Sequence, residues 1–430
     1  MLLKRVLIIS PYFPPTNAAD MQRVRMSLPY FKEYGWEAEV VTVGLEYSDM
    51  STDPLLKQSI SPDTIVHYVK ALPKKWTSKI GLGSIAIRSL FYFKRKVNRL
   101  LKDKRFDLVY FSTTQFPVCI LGAYWKKKFN LPYVIDMQDP WHSDYYEDKP
   151  KEERPPKYWA AYQLSKRLEP IAMSKVGGLI AVSAGYLQTL GERYPNCKTV
   201  PQRTITFGAF EPDFTIARQN FALQPSVLPK GDGKTSIVYV GRGGKDMQNA
   251  VSFLFESFKT GLEKQPAIFS RFHFYFIGTS YAAAGEGIPT ISPVAEGAGV
   301  ANYVTEITDR IPFYQTLNTL ADASALFIPG STDPQYTASK IYPYVLAQKP
   351  LLAFFHQESS VVAFLKTSGV GTVVTFDQNP KEIEQIMMSF MISVAEGRVA
   401  NQSPNADVME RYSARTMTKK QCELFNAVVQ

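Results

Sequence analysis

The chain has 430 residues, 45% of them hydrophobic and 20% charged, which is the balance of a soluble globular protein too long for one ordinary core; two domains are predicted. No run approaches the roughly 20 uncharged apolar residues of a membrane span. Three scattered cysteines and four dispersed histidines offer neither a disulfide framework nor a zinc site, so the expected setting is a reducing cytoplasm. The net charge of +10 is lopsided, because residues 1–200 hold 30 Lys+Arg against 19 Asp+Glu and the rest holds 19 against 20.

In chain order, the first half alternates short apolar runs with amphipathic stretches. "RVLIIS" is too short for a signal-peptide core and reads as a buried strand. The following "SPYFPPTNAADMQRVR" is a long polar and aromatic loop containing Asn17. Arg23 and Arg25 stand at the next helix's start, where cations oppose the dipole and an anionic ligand would relieve them. After the strand "EAEVVTVG", much of the excess charge lies in "FYFKRKVNRLLKDKRF", residues 91–106. An anionic membrane surface, at about 1 kcal/mol per basic group, and a solvated helix face both account for it; nucleic acid is the weaker fit. "FDLVYFS", "CILGAYWKKKFN" and "PYVIDMQ" continue the alternation. There "DMQDPWH" gathers Asp136, Asp139, Trp141 and His142. A carboxylate beside an aromatic suits hydroxyls and a sugar ring, and an Asx turn opened by Asp-Pro is the plain alternative.

Beyond "GGLIAVSAGYLQTL" and a Pro-, Gly- and Asp-rich connection near residues 208–235, a second strand–helix series begins with "SIVYVG" and "FHFYFIG". Short uninterrupted strands separated by helices argue for parallel sheets, whose ligands sit at the carboxyl ends of the strands. Two loops fit that place. "GRGGKDM" combines Gly241 and Gly243 with Arg242 and Lys245 before a helix, either a diphosphate cradle or a tight turn with solvated charges. "TASKIYPYVLAQKP" sets Thr337, Ser339 and Lys340 at a loop-to-helix junction, as ligand groups or ordinary caps. Its Pro343 costs nothing if it opens the helix, which places the helix start at Tyr342 or Pro343. The helical "DVMERYSARTMTKKQCELFNAVV" closes the chain. No Ser-His-Asp, Cys-His or H-E-x-x-H order is present.

Taken together, "ISPYFPP", "YVIDMQDPW", "GGLIAVSAGYLQTL", "YVGRGG", "DRIPFYQTLNTLADASALFIPG" and "SKIYPYVLAQKPLLA" resemble, in order and over nearly the whole chain, the family 4 glycosyltransferases of the GT-B fold. The resemblance implies an α/β protein of two Rossmann-like domains whose parallel sheets face an interdomain cleft. Residues 1–208 would be the acceptor domain and 209–405 the nucleotide-sugar donor domain, with the helix 406–430 returning to the N-terminal one. It further implies transfer of a sugar from a nucleotide-sugar to a hydroxyl of a glycan, glycolipid or protein-linked glycan, with retention, without a metal or organic cofactor, in the cytoplasm or on the inner membrane face. By the same resemblance Arg242 and Lys245 would be the catalytic cations on the diphosphate, with Ser339 and Lys340 also holding it and Gly241, Gly243 and Tyr342 binding the donor. Arg310 and Ile311 would meet the base, and Asn17, Arg23, Asp139 and Trp141 would face the acceptor. The chain departs from the pattern at Gln138, where arginine is usual, at Pro343, which falls on the ribose-binding glutamate, and at Gln335 near its acidic partner. A GT-B scaffold that has lost donor recognition is the alternative, and a sugar-nucleotide epimerase a third, lacking acidic groups for the sugar.

Overall fold

The structure, a computed structural model, describes residues 3–78, 82–142, 158–282, 284–333, 338–399 and 403–430. The chain divides into two compact units, residues 1–208 with 412–430, and residues 209–411. None of the described helices is long and apolar enough to cross a membrane.

The first unit is built on seven parallel strands in the order β3-β2-β1-β4-β5-β6-β7. They are β1 (Lys4–Ile9), β2 (Trp36–Val43), β3 (Ile65–Val69), β4 (Leu108–Ser112), β5 (Tyr133–Met137), β6 (Gly178–Ala181) and β7 (Gln202–Thr204). Central strands carry unbroken apolar runs because helices cover both faces: Val6 to Ile9 and Leu108 to Phe111 are fully buried. Strand order reverses between β1 and β4, so the loops leaving those two strands open a crevice at their carboxyl ends. The helix predicted after β1 is short, Gln22–Ser27, because Pro29 prevents its extension.

The C-terminal helix Ala414–Val429 packs on this sheet. Ser413 caps it by accepting from Thr416 N (3.0 Å). Its Phe425 is fully buried, with ring centroids 6.2 Å from Phe31, 5.4 Å from Trp36 and 4.9 Å from Tyr110. The helix start lies against Gly208, where a Cβ would come within 2.7 Å of the Ala414 backbone. Gly208→Val is expected to lower stability by about 1–3 kcal/mol through overpacking, read by denaturant unfolding; an unchanged midpoint would show the helix free to shift.

In the second unit six parallel strands run β10-β9-β8-β11-β12-β13. These are β8 (Thr235–Val240), β9 (Phe272–Ile277), β10 (Val304–Ile307), β11 (Ala325–Pro329), β12 (Leu351–Phe355) and β13 (Thr372–Thr375). The helix Gln248–Lys264 lays Phe255 and Phe258 on Phe274, at 5.9 and 4.8 Å between centroids, an edge-to-face core typical of aromatic packing. Here the order reverses between β8 and β11, again opening a crevice at the strand ends.

Two boundaries differ from the sequence reading. The helix Ala406–Arg411 belongs to the second unit, where Asn405 N donates to Ser368 O (3.1 Å), its Oδ1 accepts from Val408 N (3.2 Å), and Val408 and Met409 are buried; the return to the first unit starts at Tyr412. The helix carrying Pro343 runs Ile341–Leu346, so the proline is third rather than first. Its missing N–H still falls among the four donors that a helix start leaves unpaired, and the carbonyl four residues back lies outside the helix.

Candidate functional site

The crevice of the second unit is assembled from the turn after β8 and the helix entered at Lys340. Gly241 N donates to Ile277 O (2.8 Å) and Gly243 N to Thr279 O (2.9 Å). Both N–H groups are thus engaged by the neighbouring strand's end, and what these glycines supply is room. A Cβ on Gly241, at φ +155°, would lie 2.4 Å from Lys340 Nζ, and one on Gly243 would lie 2.7 Å from Thr290 Oγ1.

Thr290 fixes this turn by donating to Gly243 O (2.6 Å), and Glu306 on β10 fixes Thr290. The Glu306 carboxylate accepts from the N–H groups of Thr290 (3.0 Å), Ile291 (3.0 Å) and Ser292 (2.7 Å) and from the hydroxyls of Ser292 (2.9 Å) and Thr279 (2.6 Å). Burial works against its charge, but these donors outweigh it and hold the carboxyl below the usual glutamate range. Its contribution to stability is complete above the ordinary glutamate pKa and is lost as pH falls through the lowered one. Glu306→Ala leaves three backbone donors without their acceptor and is expected to cost about 2 kcal/mol in chemical denaturation, with a weaker acid dependence; a loss under about 0.5 kcal/mol would exclude the bracing role.

Lys340 is the unusual charge here. Half-buried, its ammonium donates to Tyr239 Oη (2.7 Å) and lies 4.8 Å from the Tyr239 ring centroid, while that hydroxyl donates to Arg242 O (2.8 Å). Among the described residues no carboxylate lies within 4 Å of Lys340 Nζ, whereas Arg242 is held by both oxygens of Asp246 (2.9 and 2.8 Å). Burial first, then the charges of Arg242 and Arg310 with Asp246 opposing, push the Lys340 ammonium down to about 7. Tyr344, one turn on, accepts from Val240 N (2.7 Å) and donates to Val240 O (3.2 Å), tying the helix to the end of β8.

The other predicted donor-side residues are placed unequally. Gly241, Arg242, Gly243 and Lys340 meet in this crevice. Lys245 and Ser339 are exposed; Arg310 is exposed with its guanidinium 5.3 Å from the Tyr281 ring, and Ile311 beside it is half-buried. Tyr342 is a core residue, edge-on to Phe364 at 5.2 Å. Gln335 and Thr337 lie outside the described residues. The sequence reading missed Tyr239, Glu306 and Tyr344, whose only signal is polarity inside an apolar strand or helix face, and Thr290, a loop residue with no local signal.

In the first unit, Arg23 and Asp136 are both fully buried, with Nε 2.7 Å from Oδ2. Arg23 also donates to the carbonyls of Thr206 (3.1 Å) and Ile205 (2.7 Å) and lies 4.8 Å from the Phe207 ring. Its charge is therefore committed to the interior, and the relief expected from an anionic ligand is supplied by Asp136. The same Asp136 oxygen accepts from Tyr110 (3.2 Å), Ser112 (2.9 Å) and Gln138 (3.0 Å). Among the described residues, Asp136 Oδ1 and Gln138 Oε1 are buried without a hydrogen-bond partner. Buried Asp20, bonded by Thr113 Oγ1 (2.7 Å) and Thr114 N (3.3 Å), has its carboxyl raised by burial. Asp139 is accessible to solvent but surrounded by protein; that partial desolvation, with the Asp20 charge, pushes it up to about 6. Trp141 is buried, stacked on Phe116 at 5.4 Å, and half-buried Asn17 is held through its N–H to Ser51 O (2.8 Å).

No protein-family model and no curated protein matches this sequence. Solved structures do match its fold. An N-terminal domain of trehalose-6-phosphate phosphatase from Candida albicans is 12% identical, with 99% of this chain and 97% of that one covered at a TM-score of 0.62. HepE of Anabaena in complex with UDP is 15% identical, over 97% and 98%, at 0.56. A UDP-forming trehalose-phosphate synthase from Burkholderia xenovorans is 12% identical, over all of both chains, at 0.57. The architecture, two Rossmann-like units with wholly parallel sheets of seven and six strands, is the GT-B fold.

Proposed function

We propose that the chain is a glycosyltransferase that moves a sugar from a nucleotide-sugar donor to a hydroxyl of a glycan or lipid-linked glycan acceptor, with retention and without a metal of its own. The observation that carries this reading is Lys340: a half-buried ammonium with no carboxylate within 4 Å among the described residues, at the strand-order reversal of a parallel sheet, next to a turn kept open by glycine. An anion completes such a site, and a nucleoside diphosphate gains negative charge as its bond to the sugar breaks. In the proposed reaction the anomeric C–O bond to the diphosphate breaks, the bond to the acceptor oxygen forms on the same face, and the acceptor proton passes to the departing phosphate oxygen. No enzymic base is then required. Lys340 and Lys245 would stabilise the departing charge, with Arg242 joining them by sharing Asp246, while Asp139 and Asn17 would meet the acceptor. Fold neighbours that bind or form UDP make uridine nucleotides the first donors to try.

Work in the cytoplasm, with residues 91–106 near an anionic inner membrane face, fits a lipid-linked acceptor. The second reading, a scaffold that has lost donor recognition, is favoured by the bidentate Arg242–Asp246 pair and by Pro343. Acceptor-dependent release of nucleoside diphosphate from a panel of sugar nucleotides separates them. Release that requires acceptor supports the transferase; neither release nor stabilisation by any sugar nucleotide supports the scaffold.

A further inference from the structure

The first unit carries an exposed apolar corner remote in role from either crevice. Leu72 is 47% exposed, Trp76 69% and Phe91 64%, and Leu82 is exposed beside them in sequence. Such side chains ordinarily bury themselves, and here a buried arginine keeps them out. Arg88, 2% exposed, donates to the carbonyls of Leu72 (2.9 Å), Gly83 (3.1 Å) and Tyr47 (3.0 Å), and its own carbonyl accepts from Leu72 N (3.0 Å). This straps the segment to the first turns of the helix Ile85–Asp103. Trp76 sits on the single helical turn Lys74–Thr77, and Leu82 N donates to Thr77 O (2.9 Å). Phe91 stands one helical turn beyond Arg88, and exposed Arg95 one turn beyond Phe91.

Charge says what covers the corner. Residues 64–102 contain ten Lys+Arg and no Asp or Glu. Lys74 is paired with Asp49, while Lys70, Lys75 and Arg95 are exposed without an ion-pair partner among the described residues. Protruding Trp, Phe and Leu on a stretch rich in cations, with Asp49 the carboxylate paired to its Lys74, match the depth profile of an anionic bilayer, with aromatic rings at the headgroup boundary and ammonium groups at the phosphates. We propose that this corner, centred on Trp76 and Phe91, docks the protein on an anionic lipid surface. The proposal rests on the lipid-linked acceptor of the preceding reading and moves the membrane contact from the basic helix alone to the strap beside it.

The test is co-sedimentation with vesicles of phosphatidylcholine alone and of phosphatidylcholine with phosphatidylglycerol, for the full chain. Wild type is expected to partition to the anionic vesicles and not to the neutral ones. The double variant Trp76→Ser, Phe91→Ser is expected to lose at least about tenfold, and Lys75→Gln or Arg95→Gln about fivefold each. All four side chains are exposed, so each variant should keep its unfolding midpoint and any stabilisation by nucleotide. Equal partitioning of the double variant and wild type, equal binding to both vesicle types, or no binding by wild type would each overturn the docking. Nucleotide stabilisation, read separately, reports on the transferase reading alone.

Discussion

Asp136→Ala is expected to destabilise the first unit by about 3–5 kcal/mol, a large share of the roughly 5–15 kcal/mol that holds an ordinary domain. Arg23 and Asp136 are both fully buried, so removing the carboxylate leaves a guanidinium in the interior with only carbonyls and a ring around it. Tyr110, Ser112 and Gln138 lose the same acceptor. Denaturant unfolding should show the midpoint fall with its slope unchanged. Replacing both partners, Arg23→Met with Asp136→Leu, should recover much of the loss, because no uncompensated charge then remains. A single variant within about 1 kcal/mol of wild type would show that water reaches the pair.

Lys340→Met is expected to weaken nucleoside diphosphate binding about 30- to 100-fold and to lower kcat/KM with a sugar nucleotide by about 100-fold, the range for losing a charged donor to a developing oxyanion. Fold should survive, since methionine keeps the aliphatic stem and removes a charge that its surroundings disfavour. The pH dependence is the sharper signature. Burial and the neighbouring Arg242 and Arg310 hold the ammonium at about 7 in the free protein. Below that value it is already charged and affinity should be flat. Above it the amine must take up a proton as the anion binds, so affinity should fall by up to about tenfold per pH unit towards the raised pKa of the complex. Without nucleotide the sign for stability is the reverse, this group contributing more as pH rises from about 7 towards the ordinary lysine value. Calorimetric titration across pH 6–9 reads the affinity and denaturant unfolding over the same range reads the stability; a Lys340→Met protein with the wild-type affinity slope would remove the lysine from the site.

Much of the scaffold is legible in the residues, because uninterrupted runs such as "RVLII", "LVYF" and "LLAFF" are what strands buried on both faces require, and each is a strand. The glycines of "GRGG" and the position of Lys340 after β11 were likewise visible, since parallel sheets confine ligands to those loops. Arg23 was not. A cation at a helix start looks open to ligand until the fold brings Asp136, 113 positions later, against it. Glu306 was hidden for the same reason: its partners come from residues 279 and 290–292, and no local spacing announces them. Tyr342 and Tyr344 are two apart on one short helix, yet one fills the core and the other clamps the backbone of β8, a choice set by packing. Pro343 changed meaning most. As third residue of its helix it carries no structural penalty.

The most direct measurement is a structure with a nucleoside diphosphate bound, UDP being the first to try. Phosphate oxygens are expected about 3 Å from Lys340 Nζ beside Gly241, with the Tyr239 hydrogen bond shared or displaced. A diphosphate bound away from Lys340, or no nucleotide bound at millimolar concentration, would contradict that expectation.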